Sequence, residues 1–175
     1  MSPQRRGVLF AAVGAVAAVA GATLAWRRLQ PGAVEESALP SLWTLSFDTP
    51  AGVSLPMTQL RGKPLLINFW ATWCPPCIEE LPLLDSFYKQ NSEKSWQVLG
   101  LAVDQPSAVR KFLGKMPLSF PIGLAGLDGT ELAKSLGNQA GGLPFTVVLG
   151  KDGQVRQRKM GRIDPADLTA WVAAG

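Results

Sequence analysis

The chain has 175 residues and a net charge of +4, with two cysteines and no histidine. The lack of histidine excludes Ser-His-Asp and Cys-His catalysis and leaves no imidazole to bind a metal. Four arginines among the first 28 residues supply the net charge, because the remaining 13 basic residues balance the 13 acidic ones. The rest of the chain is therefore neutral and offers no electrostatic basis for binding nucleic acid.

Residues 8–26 form a run of 19 uncharged, mostly apolar residues flanked by arginine pairs. As a helix the run is ~28 Å long, close to the ~30 Å hydrocarbon core of a bilayer. Residues 1–28 are therefore predicted to be a signal anchor with a transmembrane helix over 8–26. A cleaved signal peptide is the alternative, because Ala20-Gly21-Ala22 has the small-x-small form of a cleavage site. The N-terminal amine favours a cytoplasmic N-terminus, with the rest of the chain outside the cytoplasm.

A polar linker is predicted for residues 29–42 and one globular domain for residues 43–175. Apolar patterning and turn residues predict the elements of the domain. In chain order they are strand 43–47, strand 53–55, strand 65–70, helix 75–90, strand 97–103, helix 106–116, strand 120–123, helix 130–136, strand 145–149, strand 154–160 and helix 165–172. This order predicts an α/β fold in which a central mixed sheet carries helices on both faces.

Both cysteines lie in the sequence WATWCPPC at residues 70–77, at the end of the apolar strand 65–70. A strand that ends in Cys-x-x-Cys, with a helix starting at the first cysteine, is typical of a thiol–disulfide exchange site. The helix N-terminus favours the thiolate form of Cys74, because unpaired N–H groups and the macrodipole stabilise negative charge there. A purely structural disulfide is the alternative. Closing a loop of four residues contributes only about 2 kcal/mol, so the redox interpretation is favoured.

Three segments together resemble one protein family. They are NFWATWCPPC at 68–77, Glu80-Leu81-Pro82, and GLPFT at 142–146. With them, roughly residues 40–175 resemble the TlpA/ResA-like, membrane-anchored thiol–disulfide reductases of bacteria, which have the three-layer thioredoxin-like fold. An additional β-α insert near residues 98–123 is also typical of this branch.

The resemblance implies that Cys74 attacks a client disulfide and that Cys77 resolves the mixed disulfide. Glu80 corresponds to a carboxylate that follows the second cysteine by three residues in this branch, and Pro144 corresponds to the cis-proline opposite the disulfide. The candidate substrate-binding residues are Trp73 and Leu143. No cofactor or metal is implied, because the Cys74–Cys77 disulfide is itself the redox centre.

Two departures from the pattern are visible. Thioredoxin itself has a buried aspartate at the position of Asn68, and an asparagine cannot accept the proton. The Pro75-Pro76 pair also occurs in other thioredoxin-like branches, including tryparedoxins, so it does not fix the subfamily.

Several of these residues have a simpler interpretation. Glu80 lies three residues after Cys77 on the same helical face, so it is either a proton acceptor or a first-turn acid that favours the helix dipole. Pro144 is either the cis-proline or an ordinary strand-edge proline. Trp73 and Trp70 either form an apolar docking surface or, for Trp70, part of the core. A solvated strand face is favoured over a docking patch for the basic cluster Arg156, Arg158, Lys159 and Arg162.

The sequence thus predicts a single-pass protein of the bacterial inner membrane with a periplasmic disulfide reductase domain. The absence of a histidine between the cysteines predicts a reducing couple. By resemblance, its clients are proteins with disulfides, such as apocytochrome c, and its electrons come from a membrane-embedded thiol carrier. A thioredoxin-fold metallochaperone would need a longer cysteine spacing and a histidine. A peroxidase would need a Thr-Pro framework before a single peroxidatic cysteine, and the chain lacks it.

Overall fold

The computed structural model describes residues 38–94 and 96–174. In this part of the chain seven strands form one sheet. They are β1 (Ser46–Asp48), β2 (Ser54–Pro56), β3 (Leu65–Trp70), β4 (Gln97–Ala102), β5 (Ile122–Leu124), β6 (Phe145–Leu149) and β7 (Val155–Met160). Their order across the sheet is β2-β1-β5-β4-β3-β6-β7. The sheet is mixed, because β3 pairs parallel with β4 and antiparallel with β6.

The described helices pack on the two faces of this sheet. They are α1 (Ala38–Leu42), α2 (Pro75–Asn91), α3 (Pro106–Leu113), α4 (Asp128–Ser135) and α5 (Pro165–Ala174), with short 3-10 turns at Met57–Leu60 and Ser92–Lys94. Buried side chains of α2, α3 and α5 belong to one apolar cluster, and those of α1 and α4 belong to another. The predicted α/β fold with helices on both faces is confirmed.

Strand β3 lies at the centre of the sheet and separates the two clusters. Its six side chains are all buried, yet they alternate, with Leu65, Ile67 and Phe69 in the α1/α4 cluster and Leu66 and Trp70 in the α2/α5 cluster. This explains the continuous apolar run, because a strand covered on both faces has no solvent side. Asn68 has the same parity as Leu66 and Trp70, so its amide points towards α2.

The start of the domain differs from the prediction. The range predicted as a linker contains α1, and the predicted strand 43–47 begins only at Ser46. Leu42 and Trp43 are buried, and the Arg61 guanidinium lies over the Trp43 ring. Thr44 donates a hydrogen bond to the carbonyl of Ser41 and closes a turn between helix and strand. These apolar residues are therefore buried through a helix and a turn rather than through a longer strand, and the packed domain begins before residue 43.

The later elements match the prediction within a few residues. Helix α3 ends at Leu113 rather than at the predicted residue 116, because Gly114 and then Pro117 interrupt the helical pattern. The predicted membrane span at 8–26 lies outside the described residues. Within residues 38–94 and 96–174, no helix is both long and apolar enough to cross a bilayer.

Candidate active site

The two cysteines lie where β3 gives way to α2. Cys74 has an extended backbone and is the N-cap of α2, and its carbonyl accepts hydrogen bonds from the N–H groups of Cys77 and Ile78 at 3.1 and 3.2 Å. Pro75 and Pro76 occupy the first helical turn, where an N–H has no partner within the helix, so their lack of a donor costs nothing there. The sequence therefore starts the helix at the first cysteine.

Cys74 and Cys77 form a disulfide, with 2.03 Å between the sulfurs and 5.3 Å between the Cα atoms. Cys77 is fully buried, and Cys74 retains 4% exposure. The small accessible surface of the pair therefore belongs to Cys74. This arrangement allows the sulfur of another molecule to approach Cys74, whereas Cys77 can react only with Cys74 of the same chain.

The loop that leads to Cys74 is anchored to the neighbouring strand. Asp104, just after β4, accepts hydrogen bonds through Oδ2 from both the N–H and the hydroxyl of Thr72, at 2.8 and 2.5 Å. The carbonyl of Ala71 accepts a hydrogen bond from the Cys74 N–H at 3.2 Å. Trp73 lies in this loop and is 66% exposed, whereas Trp70 is fully buried against Phe112.

The peptide bond between Leu143 and Pro144 is cis, at the start of β6. The pairing of Phe69 with Phe145 puts Pro144 next to Trp70, at the end of β3 from which the cysteine loop departs. Pro144 is buried and Leu143 is partly buried. Asn138 steadies the preceding segment, because its Nδ2 donates to the carbonyl of Gly142 at 2.8 Å. The proline and the disulfide therefore lie at the same end of two paired strands.

Glu80 lies on α2, one helical turn after Cys77, and is buried with 1% exposure. Its Oε1 accepts a hydrogen bond from Asn68 Nδ2 at 2.7 Å, and its Oε2 accepts one from the Ile163 N–H at 2.7 Å. Burial raises the pKa of Glu80 above its ordinary value, while these two hydrogen bonds and the charges of Arg162 and Lys159 oppose the increase. A buried carboxyl with a raised pKa can take up a proton from a neighbouring thiol.

Sequence reasoning missed most of the partners of Glu80. Asn68 Nδ2 also donates to Thr146 Oγ1 at 3.0 Å, so β3, β6, α2 and the loop before α5 meet at this carboxyl. Asn68 Oδ1 is buried and has no hydrogen-bond partner among the described residues. The one signal in the sequence was a polar residue in the middle of the apolar run 65–70.

The basic cluster resolves into separate contacts rather than one surface. Arg162 lies in the loop after β7 and binds Glu79, and Arg156 binds Asp152 at the hairpin turn. Lys159 binds Asp167, and Arg158 donates to the carbonyl of Leu136. Within the described residues, no group of three or more Cys, His, Asp or Glu side chains clusters as metal ligands would.

The chain is similar to known proteins in both sequence and fold. The sequence profile of the Redoxin family matches residues 37–170. The thiol-disulfide oxidoreductase ResA of Bacillus anthracis is 32% identical over 122 residues, which cover 69% of this chain and 68% of ResA. The structure of MTB DsbF has a TM-score of 0.66 at 28% identity and covers 77% of this chain and 97% of DsbF. A thiol:disulfide interchange protein of Chlorobium tepidum TLS has a TM-score of 0.65 at 27% identity, with 74% and 91% covered.

Proposed function

Because this chain belongs to the Redoxin family and to its TlpA/ResA-like thiol–disulfide oxidoreductases, we propose that it reduces protein disulfides outside the cytoplasm while anchored to the membrane. Its activity is thiol–disulfide interchange. The observation that carries the proposal is the Cys74–Cys77 disulfide at the start of α2, with the buried Glu80 carboxyl one turn below it.

The proposed reaction starts from the reduced protein. The Cys74 thiolate attacks one sulfur of a client disulfide, and the displaced client thiolate takes a proton from water. The Glu80 carboxylate accepts the proton of Cys77, and the Cys77 thiolate then attacks the Cys74 sulfur. The second client thiolate leaves and is protonated, and Glu80 returns its proton to solvent. The client gains two electrons and two protons, and Cys74 and Cys77 become the disulfide seen here.

The direct test is reduction of the insulin disulfides by the full chain with dithiothreitol as electron source. The wild-type protein should accelerate the reaction, and Cys74→Ala should lower the rate to that of dithiothreitol alone. A Cys74→Ala variant as active as wild type would contradict the proposal.

The direction of electron flow follows from the residues between the cysteines. Prolines stand at both positions, so no cationic side chain stabilises the Cys74 thiolate there. We therefore expect a potential nearer the about −270 mV of thioredoxin than the about −120 mV of DsbA. Equilibration against dithiothreitol and glutathione buffers measures it. A potential at the oxidising end would make the protein an oxidant of thiols instead.

The membrane location rests on the apolar run at 8–26 and its flanking arginines. The proposed orientation places the cysteines in the periplasm. In intact cells, a membrane-impermeant thiol reagent should then label Cys74 of the reduced protein. Labelling that requires permeabilised cells would contradict this orientation.

The proposed clients are periplasmic proteins whose disulfides must be opened, including the haem-attachment cysteines of apocytochrome c. The proposed reductant is a membrane-embedded thiol carrier. Both follow from the TlpA/ResA-like character of the site and from the requirement that each turnover be followed by re-reduction of Cys74 and Cys77. Cells that lack the protein should accumulate oxidised apocytochrome c, and normal haem attachment in such cells would exclude this client.

A further inference from the structure

Three consecutive residues after β7 each contact a different part of the site. The Gly161 N–H donates to the carbonyl of Pro144 at 2.9 Å. Arg162 Nη1 donates to Glu79 Oε2 at 2.7 Å, and the Ile163 N–H donates to Glu80 Oε2 at 2.7 Å. The segment Gly161–Ile163 therefore bridges the strand that carries the cis-proline and the helix that carries the resolving cysteine.

Two adjacent glutamates hold this segment in different ways. Glu79 and Arg162 form an ion pair at the surface, and both side chains are more than half exposed. Glu80 lies inside and receives only the backbone N–H of Ile163 from this segment. Because Arg162 directly precedes Ile163 in the chain, the ion pair between Arg162 and Glu79 restricts the direction of the Ile163 N–H.

We propose that Arg162 is a positioning residue for thiol–disulfide exchange, which by binding Glu79 holds the Gly161–Ile163 segment so that the Ile163 N–H stays on the Glu80 carboxylate. The inference rests on the proposed function, in which Glu80 accepts the proton of Cys77. Gly161 has a positive φ of 84°, so the backbone turns sharply just before Arg162. Beyond this turn, the Arg162–Glu79 pair is a side-chain contact that ties the segment to α2.

The charges around Glu80 make this position consequential. Lys159 on β7 is bound to Asp167 of α5, so part of its charge is already neutralised. Arg162 also favours the ionised form of Glu80 through its positive charge, and it pairs with Glu79 at the surface. Loss of Arg162 would remove a positive charge and loosen the Ile163 N–H. Both changes disfavour the ionised form of Glu80.

The test compares Arg162→Gln with Arg156→Gln in the full chain. Arg156 is a matched control, because it forms an exposed ion pair with Asp152 at the other end of β7. For Arg162→Gln, the midpoint of the pH–rate profile of insulin reduction should rise by about half a pH unit. The Ile163 amide should exchange its hydrogen roughly two- to fivefold faster. Arg156→Gln should change neither quantity.

A charge swap separates the effect of the ion pair on the segment from the effect of the Arg162 charge on Glu80. The double variant Glu79→Arg/Arg162→Glu restores the ion pair but places a negative charge near Glu80. Protection of the Ile163 amide should return to the wild-type rate, while the pH midpoint should stay raised. The proposal is wrong if the Ile163 amide exchanges its hydrogen as fast in the double variant as in Arg162→Gln. It is also wrong if Arg162→Gln changes neither the pH midpoint nor this exchange rate. If the wild-type protein reduces no disulfide, the proposed function fails instead, and the amide rates still report whether the pair holds the segment.

Discussion

Asn68 donates a hydrogen bond to the buried carboxyl of Glu80, with 2.7 Å between Nδ2 and Oε1. This contact stabilises the carboxylate in a place where burial raises its pKa. The other end of the amide, Oδ1, has no partner among the described residues. Rotation of the amide by 180° would present Oδ1 as an acceptor to a protonated Glu80. An asparagine can therefore pair with both protonation states that the proposed reaction requires, although it cannot itself take the proton.

Glu80→Gln should slow the resolving step at neutral pH. Glutamine fills the same space but cannot accept the proton of Cys77, so we expect the rate of insulin reduction to fall about tenfold to a hundredfold. The wild-type rate should rise as the pH passes the raised pKa of Glu80, and the variant should lose this rise. The measurement is the reduction rate from pH 4 to 9. A variant with the wild-type pH profile would leave Glu80 a structural residue that binds Asn68 and the Ile163 N–H and takes no part in proton transfer.

The same variant makes a prediction about stability. The folded pKa of Glu80 lies above the unfolded value of about 4.5, so the folded state holds this proton more tightly than the unfolded state. The free energy of unfolding of the wild-type protein should therefore fall, relative to Glu80→Gln, as the pH rises from about 4.5 through the folded pKa. Denaturant unfolding of the oxidised proteins at pH 4 and pH 8 checks this difference. A wild-type protein that gains stability over the variant with increasing pH would contradict the buried, disfavoured carboxylate.

Asn68→Asp would place a second carboxylate within hydrogen-bond distance of Glu80. Two like charges so close share one proton, so the pH midpoint of insulin reduction should rise by on the order of one unit. The matched control is Asn138→Asp, which alters another buried asparagine that contacts Gly142 rather than Glu80. If both variants shift the midpoint equally, the contact between Asn68 and Glu80 does not control the proton.

Trp73→Ala tests whether the exposed indole beside Cys74 binds client proteins. Loss of an aromatic docking residue costs about 1–2 kcal/mol of binding, so KM for a protein client should rise roughly 5- to 30-fold, with kcat little changed. The free energy of unfolding should change by less than about 0.5 kcal/mol, because the side chain is 66% exposed. Val53→Ala, at a similarly exposed apolar residue on the β1–β2 turn, should leave KM unchanged. An unchanged KM in Trp73→Ala would remove Trp73 from the docking surface.

The sequence predicted the centre of the fold better than its edges. Strands β3 and β6 match the predicted ranges, because each apolar run begins directly after a proline, Pro64 or Pro144, and β6 also ends directly before Gly150. Helix α1 was missed because five residues carry too little periodicity to distinguish a helix from a linker. The cysteines could be found because their spacing is local. The contact between Ile163 and Glu80 spans 83 residues and uses a backbone N–H, which leaves no trace in the type of side chain.

The proposed roles of Cys74 as the attacking cysteine and Cys77 as the resolving cysteine are tested most directly by trapping the mixed disulfide with a client. Reduced Cys77→Ser and Cys74→Ser variants are each mixed with oxidised insulin, quenched with acid and analysed by mass spectrometry without reductant. The account predicts a mixed disulfide between Cys74 and insulin in Cys77→Ser and almost none in Cys74→Ser, because Cys77 is fully buried whereas Cys74 retains some exposed surface. Equal trapping by the two variants, or trapping through Cys77 alone, would contradict it.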